Sequence, residues 1–178
     1  MLLVGQWWQP TELTGTEPPV TVFPDVPPGS LVGYDPTEIR STGTIAWATE
    51  GMRVRVDLSD RQVFLYEGET QVAVYAIAVG QPGWDTPTGL FEVIQMYRNP
   101  IWRHPLTKEI VPPGASNPLG SRWIGFWSNG EYQIGFHGTN QPELLGQAIS
   151  HGCIRLSNAD IEALYRQIEP GTPILIEP

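Results

Sequence analysis

The sequence predicts a mainly β protein with one C-terminal helix, and three observations carry that prediction. From residue 52 onward the apolar residues alternate or cluster in blocks of strand length, separated by turn-forming Gly, Pro and Asn. Only one stretch, near residues 157–168, places apolar side chains at helical spacing. Seven of the 18 prolines fall within the first 36 residues, a density that excludes helices there and leaves extended or polyproline-like chain.

The elements follow in order. Residues 1–50 read as a Pro-rich arm or linker, with Trp7, Trp8 and Trp47 as candidate pins onto a domain covering 51–178. Arg53 to Leu58 alternates with period two, and Gln62–Tyr66 and Val72–Val79 flank Glu67-Gly68-Glu69-Thr70, which reads as a hairpin. Pro82 to Pro87 is a turn-rich loop leading into a strand over Thr88–Ile94. Residues 99–121 carry five prolines and two glycines without periodicity and read as a long loop, a candidate lid. Trp123–Trp127 and Tyr132–Phe136 pair around an Asn-Gly turn, and Pro142 to Gly146 suggests a helical turn. Ser157 caps the one clear helix, with Ile161, Leu164, Tyr165 and Ile168 on its apolar face. Pro170-Gly171 stops it, and Thr172–Ile176 is a closing strand.

Composition narrows the function. A net charge of −9 argues against a nucleic-acid partner, because phosphate binding requires clustered Lys and Arg. Most of the acidity lies in residues 1–90, away from the reactive cluster described below. No apolar run approaches the roughly 20 residues of a membrane-spanning helix. A single cysteine excludes an internal disulfide and any multi-cysteine metal cluster. The first residues have neither the basic start nor the apolar length of a secretory signal.

Two of the three histidines and the lone cysteine fall within 17 residues: His137-Gly138-Thr139-Asn140, then Ser150-His151-Gly152-Cys153-Ile154-Arg155-Leu156. An imidazole can take the proton of a thiol and so make a nucleophile at neutral pH. Gly152 lets the backbone approach a substrate closely, with consecutive N–H groups able to face a developing oxyanion. Arg155, two residues beyond Cys153, suits a substrate carboxylate. Competing readings stay open on these residues alone. A lone cysteine is often a small buried hydrophobe. His137, His151 and Cys153 would also suit three ligands of a catalytic zinc. His104 reads as a solvated loop residue, and the tryptophans at 84, 102, 123 and 127 as packing anchors.

The two blocks together strongly resemble the signature of the L,D-transpeptidase catalytic domain, the YkuD-like family. The resemblance runs from about residue 52 to 177 and includes Thr86-Pro87-Thr88-Gly89 before the strand that contains Phe91. It implies a β-sandwich-like fold cradling a cysteine site, with no cofactor and no metal. It further implies action on peptidoglycan stem tetrapeptides, in which a thiolate attacks the bond between diaminopimelate and D-alanine. Carried over by position, Cys153 is the nucleophile and His137 the proton donor and acceptor. Gly138, His151, Gly152 and Arg155 are supporting residues, Gly152 and Cys153 supplying oxyanion N–H groups and the Gly138 carbonyl orienting the imidazole. Ser150, Thr139 and Asn140 join the substrate-binding set. The resemblance also implies covalent capture of carbapenems and a periplasmic or wall-facing location. Hydrolysis in place of transfer, a catalytically silent wall-binding module, and ordinary cysteine proteolysis are the alternatives.

Overall fold

The structure, a computed structural model, describes residues 50–104, 107–130 and 132–178. The arm and its tryptophans 7, 8 and 47 lie outside the described residues.

Two sheets enclose the core. The first is built from β1 (Met52–Asp57), β2 (Gln62–Glu67), β3 (Thr70–Ala76), β5 (Gly89–Glu92) and β13 (Pro173–Glu177), in the order β3-β2-β1-β13-β5. Its inner face follows the period-two pattern of a half-buried strand: Val54, Val56, Val63, Leu65, Ile174 and Ile176 are all buried. The parallel β1–β13 pair places the last strand in the middle of this sheet, so its folding requires both ends of the domain.

The second sheet contains β6 (Gln95–Arg98), β9 (Arg122–Ser128), β10 (Gln133–His137) and β12 (Ile154–Arg155), in the order β12-β10-β9-β6. β9 and β10 form the hairpin expected around the Asn-Gly turn, with a bulge at Ile134/Gly135. Ile124, Phe126, Phe136 and Ile154 face the core, where Phe126 lies 5.3 Å from Phe91 of the first sheet and 5.2 Å from Phe136. The single helix, α1 (Asn158–Tyr165), buries Ile161 and Leu164. Ser157 caps it, accepting a hydrogen bond from the Asp160 N–H at 3.0 Å.

Three local expectations are corrected. Val72–Val79 is not one strand: β3 ends at Ala76, Ile77 and Ala78 leave the hairpin fully buried, and β4 (Val79–Gly80) belongs to another pairing. Residues 99–121 are not pure loop, because β7 (Trp102–Arg103) and β8 (Ile110–Val111) form a small hairpin there. Ile168 lies beyond the helix end yet remains buried. The sequence reading also missed β6, β12 and β11 (Ala148–Ser150), which are too short to show a period.

The break at Ile77 has a structural consequence. Residues 77–81 form a rail on which two later segments dock. Ala78 and Arg155 exchange backbone hydrogen bonds of 3.0 and 2.9 Å, and the Gln81 N–H donates to the Ser150 carbonyl at 2.9 Å. β11 pairs with β4 in parallel. The chain on either side of Cys153 is thereby fixed to the framework.

Candidate active site

His137 ends β10, and Arg155 lies beside it on parallel β12. The Leu156 N–H donates to the His137 carbonyl at 2.9 Å, which locks the two strands together just after Cys153. Fifteen residues, including a helical turn and β11, separate His137 from Cys153 in sequence, yet the thiol lies 4.0 Å from the Gln133 carbonyl of the imidazole-bearing strand. Cys153 is 6% and His137 4% exposed.

The His137 ring has a defined tautomer. Its Nδ1 lies 2.6 Å from the Gly138 carbonyl. A carbonyl can only accept, so Nδ1 carries the hydrogen and Nε2 is left as the basic nitrogen. Trp123 lies nearly parallel to the imidazole, with ring centroids 6.0 Å apart and planes 21° apart. Burial pushes the imidazole down to about 3, helped by the Arg155 charge and opposed by the Gly138 carbonyl. Burial also pushes the thiol up to about 11, against the opposing effects of the Gly135 backbone and Arg155. At neutral pH both partners are therefore uncharged.

Ser150 organises the turn that presents the cysteine. Its hydroxyl donates to the Cys153 carbonyl at 2.5 Å and accepts from the Gly152 N–H at 3.2 Å. Gly152 sits at φ +105°, a backbone region that favours glycine. It faces the Trp84 and Asp85 carbonyls of the preceding loop, and the Trp84 ring meets His151 edge-on at 4.8 Å. That loop is held by Thr86, whose hydroxyl accepts from the Gly80 N–H at 3.1 Å.

The family model for the L,D-transpeptidase catalytic domain, YkuD, matches residues 51–176. The chain belongs to the YkuD family. Among curated relatives, YqjB of Bacillus subtilis (strain 168) is 42% identical over 105 residues, covering 58% of this chain and 58% of that protein. The YkuD protein of Bacillus licheniformis is 34% identical over 140 residues, covering 79% of this chain and 71% of the relative. Both carry L,D-transpeptidase names. The chain spans less of YcfS of Escherichia coli (strain K12), 42% of that length. Among solved structures, L,D-transpeptidase 3 from Mycobacterium tuberculosis superposes with a TM-score of 0.60 at 18% identity, over 72% of this chain and 61% of that one. The Enterococcus faecium L,D-transpeptidase C442S mutant gives 0.59 at 25% identity, over 72% and 50%. The mainly β fold with one C-terminal helix is thus the fold of these L,D-transpeptidases.

Within this YkuD domain the predicted residues fall into three groups. His137, Gly138 and Arg155 meet at the β10–β12 ladder, and Gly152 and Cys153 lie on the turn that leads into it. Ser150 and Thr139, expected among substrate-binding residues, have their hydroxyls engaged within the protein: Thr139 accepts from the Gln141 N–H at 3.0 Å. Asn140 is exposed and lines, with Thr139, an open cavity of about 460 Å³ against the 113–121 segment. The Gly152 N–H, expected as an oxyanion donor, is directed to Ser150. Among the described residues no group of three or more His, Cys, Asp or Glu side chains is placed to hold a metal ion, so His137, His151 and Cys153 do not converge as ligands. His104 borders the β7–β8 turn, where its Nδ1 accepts from the Thr107 N–H at 3.2 Å. Of the four tryptophans read as anchors, Trp123 is wholly buried.

Sequence reading missed Asn158 and Asn117. Asn158 accepts from the Ser121 N–H at 2.9 Å and donates to the Thr139 carbonyl at 3.1 Å, joining the end of the 99–121 segment to the His137 turn. Asn117, fully buried, donates to the Pro100, Val111 and Pro112 carbonyls and accepts from the Leu119 N–H. Neither lies in a motif, and an asparagine in a loop or at a helix start carries no signal of a long-range partner.

Proposed function

We propose that this chain is a cysteine acyltransferase acting on peptidoglycan stem tetrapeptides, with Cys153 as nucleophile and His137 as the shuttling base and acid. The observation that carries the reading is the buried pairing of His137 on β10 with the Cys153–Arg155 segment, its imidazole held by the Gly138 carbonyl so that Nε2 is the proton acceptor. The uncharged resting pair favours proton transfer coupled to attack over a standing ion pair.

The thiol proton passes to His137 Nε2 as sulfur attacks the carbonyl carbon between the diaminopimelate L-centre and D-alanine. The C–N bond breaks, D-alanine takes the proton from His137, and a thioester remains on Cys153. An acceptor amine then attacks the thioester and gives a proton to His137. The C–S bond breaks and the thiol is restored. No nucleotide is consumed, because one amide replaces another through an activated thioester. The Cys153 N–H, and the Gly152 N–H if it turns from Ser150, would face the oxyanion. Arg155 would hold a carboxylate of the donor or fix the loop.

No described helix is long and apolar enough to cross a membrane. The proposed substrate places the enzyme on the wall side of the cytoplasmic membrane. Similar solved structures include L,D-transpeptidase 3 from Mycobacterium tuberculosis with a faropenem-derived adduct and LdtMt1 in complex with imipenem. We extend covalent capture to Cys153.

The test is mass spectrometry of intact protein and products after mixing with a disaccharide-tetrapeptide. Wild type is expected to release D-alanine through a transient adduct that Cys153→Ala lacks, and the products separate cross-linking from hydrolysis. Folded wild-type protein that gives neither adduct nor D-alanine would refute the reading.

A further inference from the structure

The open cavity of about 460 Å³ beyond the His137 turn is used by none of the steps above. Its floor is fixed by bonds already made. Asn158 is committed to the Ser121 N–H and the Thr139 carbonyl, Asn117 to the backbone of Pro100 and Leu119, and the Thr139 hydroxyl to the Gln141 N–H. Pro113, Ala115 and Pro142 add apolar wall. At Gly114 a Cβ would meet nothing within 4 Å, so that side is open to a ligand.

Two polar groups at the cavity are uncommitted. Asn99 and Asn140 are exposed there, and among the described residues neither carboxamide has a hydrogen-bond partner. Among the described residues no charged side chain lines the cavity. Such a lining suits a neutral ligand rich in hydroxyl and amide groups, and offers nothing to the carboxylates and ammonium group of a stem peptide. The volume falls within the range of small-molecule sites, roughly 300–1,000 Å³. The position also fits. Asn140 is three residues from His137, at most about 11 Å along the backbone. On the acyl-transfer reading three residues separate the bond attacked from the sugar, an extended span of about 10 Å.

We propose that this cavity seats the N-acetylated sugar that bears the donor stem peptide, with the Asn99 and Asn140 carboxamides bonding its acetamido group and hydroxyls. The acetamido N–H needs an acceptor and its carbonyl a donor, and a carboxamide supplies both. Asn99 opens the 99–121 segment and Asn140 follows the His137 turn, so a sugar held by both ties that segment to the site. The inference rests on the peptide acyl-transfer reading given above.

The experiment compares D-alanine release from a disaccharide-tetrapeptide and from the same tetrapeptide without sugar, using the full chain. Wild type is expected to favour the sugar-bearing substrate in kcat/KM. Asn140→Ala and Asn99→Gly are each expected to cut that preference about fivefold, the effect of one lost hydrogen bond. Glycine is chosen because Asn99 sits at φ +50°, where it removes the carboxamide without strain. No preference in wild type, or a preference unchanged in both variants, would overturn the subsite. In parallel, the ¹⁵N-labelled Cys153→Ala protein is titrated with the peptide-free disaccharide, and the side-chain amide signals of Asn99 and Asn140 are followed by NMR. Both signals are expected to move and saturate, and unmoved signals would overturn the subsite. Moved signals with no D-alanine release from either substrate would refute acyl transfer and leave a sugar-binding site, whereas release with unmoved signals refutes the subsite alone.

Discussion

His137 and Cys153 are each held in the uncharged form by burial, and that leaves opposite marks on stability. For His137 the folded value is about 3 against an ordinary 6.5. Between those values the unfolded chain binds a proton that the folded one does not, so stability rises with pH across the window and is lost as pH falls from 6.5 towards 3. For Cys153 the folded value is about 11 against 9.0. There the unfolded chain loses its proton first, so stability falls as pH rises from 9 towards 11. Denaturant unfolding across this range is expected to show both limbs in wild type. His137→Gln should flatten the acid limb and Cys153→Ala the alkaline one, and slopes unchanged in both variants would contradict the assignment. Alkylation of Cys153 by iodoacetamide should likewise keep accelerating above pH 9.

At the level of elements, the His137 turn is shaped by close backbone approach. Gly120 has φ +64°, and a Cβ there would stand 2.2 Å from Asn158 Oδ1 and 2.7 Å from the Gly138 carbonyl carbon. Gly138 is the residue whose carbonyl fixes the imidazole tautomer. Gly120→Ala is therefore expected to cost about 2–4 kcal/mol, combining a strained φ with overpacking against backbone. It should also slow D-alanine release in the protein that remains folded. Thermal unfolding and turnover at a permissive temperature check the two effects. Wild-type stability in Gly120→Ala would show that the 120–138 contact yields easily.

Across the whole molecule, the 99–121 segment is tied at its middle by Asn117 and at its end by Asn158, and lies against the cavity lined by Thr139 and Asn140. On the acyl-transfer reading proposed above, this segment would limit water at a thioester formed on the nearly buried Cys153 (6% exposed). Asn117→Ala removes three donated bonds and one accepted bond from a fully buried site. It is expected to cost about 2–3 kcal/mol, most of it local to the segment. Limited proteolysis should then cut within 99–121, and product analysis should show more hydrolysis relative to transfer. An unchanged product ratio with a loosened segment would remove its role in excluding water.

The sequence by itself determined the strand-and-turn grammar of residues 52–177, the helix behind Ser157, and the pairing of a histidine block with a cysteine block. Each of these rests on near neighbours: alternation along a strand, a cap three residues from its partner, a motif within seven positions. Tertiary structure decided what depends on distant pairings. The run Val72–Val79 gives no hint that it divides at Ile77, because a hairpin strand and a docking rail are equally apolar. β6, β11 and β12 are two to four residues long and exist only because a neighbouring strand completes their hydrogen bonds. The same holds at the site. The motif named the thiol and the imidazole, but the parallel β10–β12 ladder sets their segments side by side, and burial is the largest influence holding both groups in their uncharged forms. Burial is a property of everything packed around a side chain, and no local stretch of sequence encodes it.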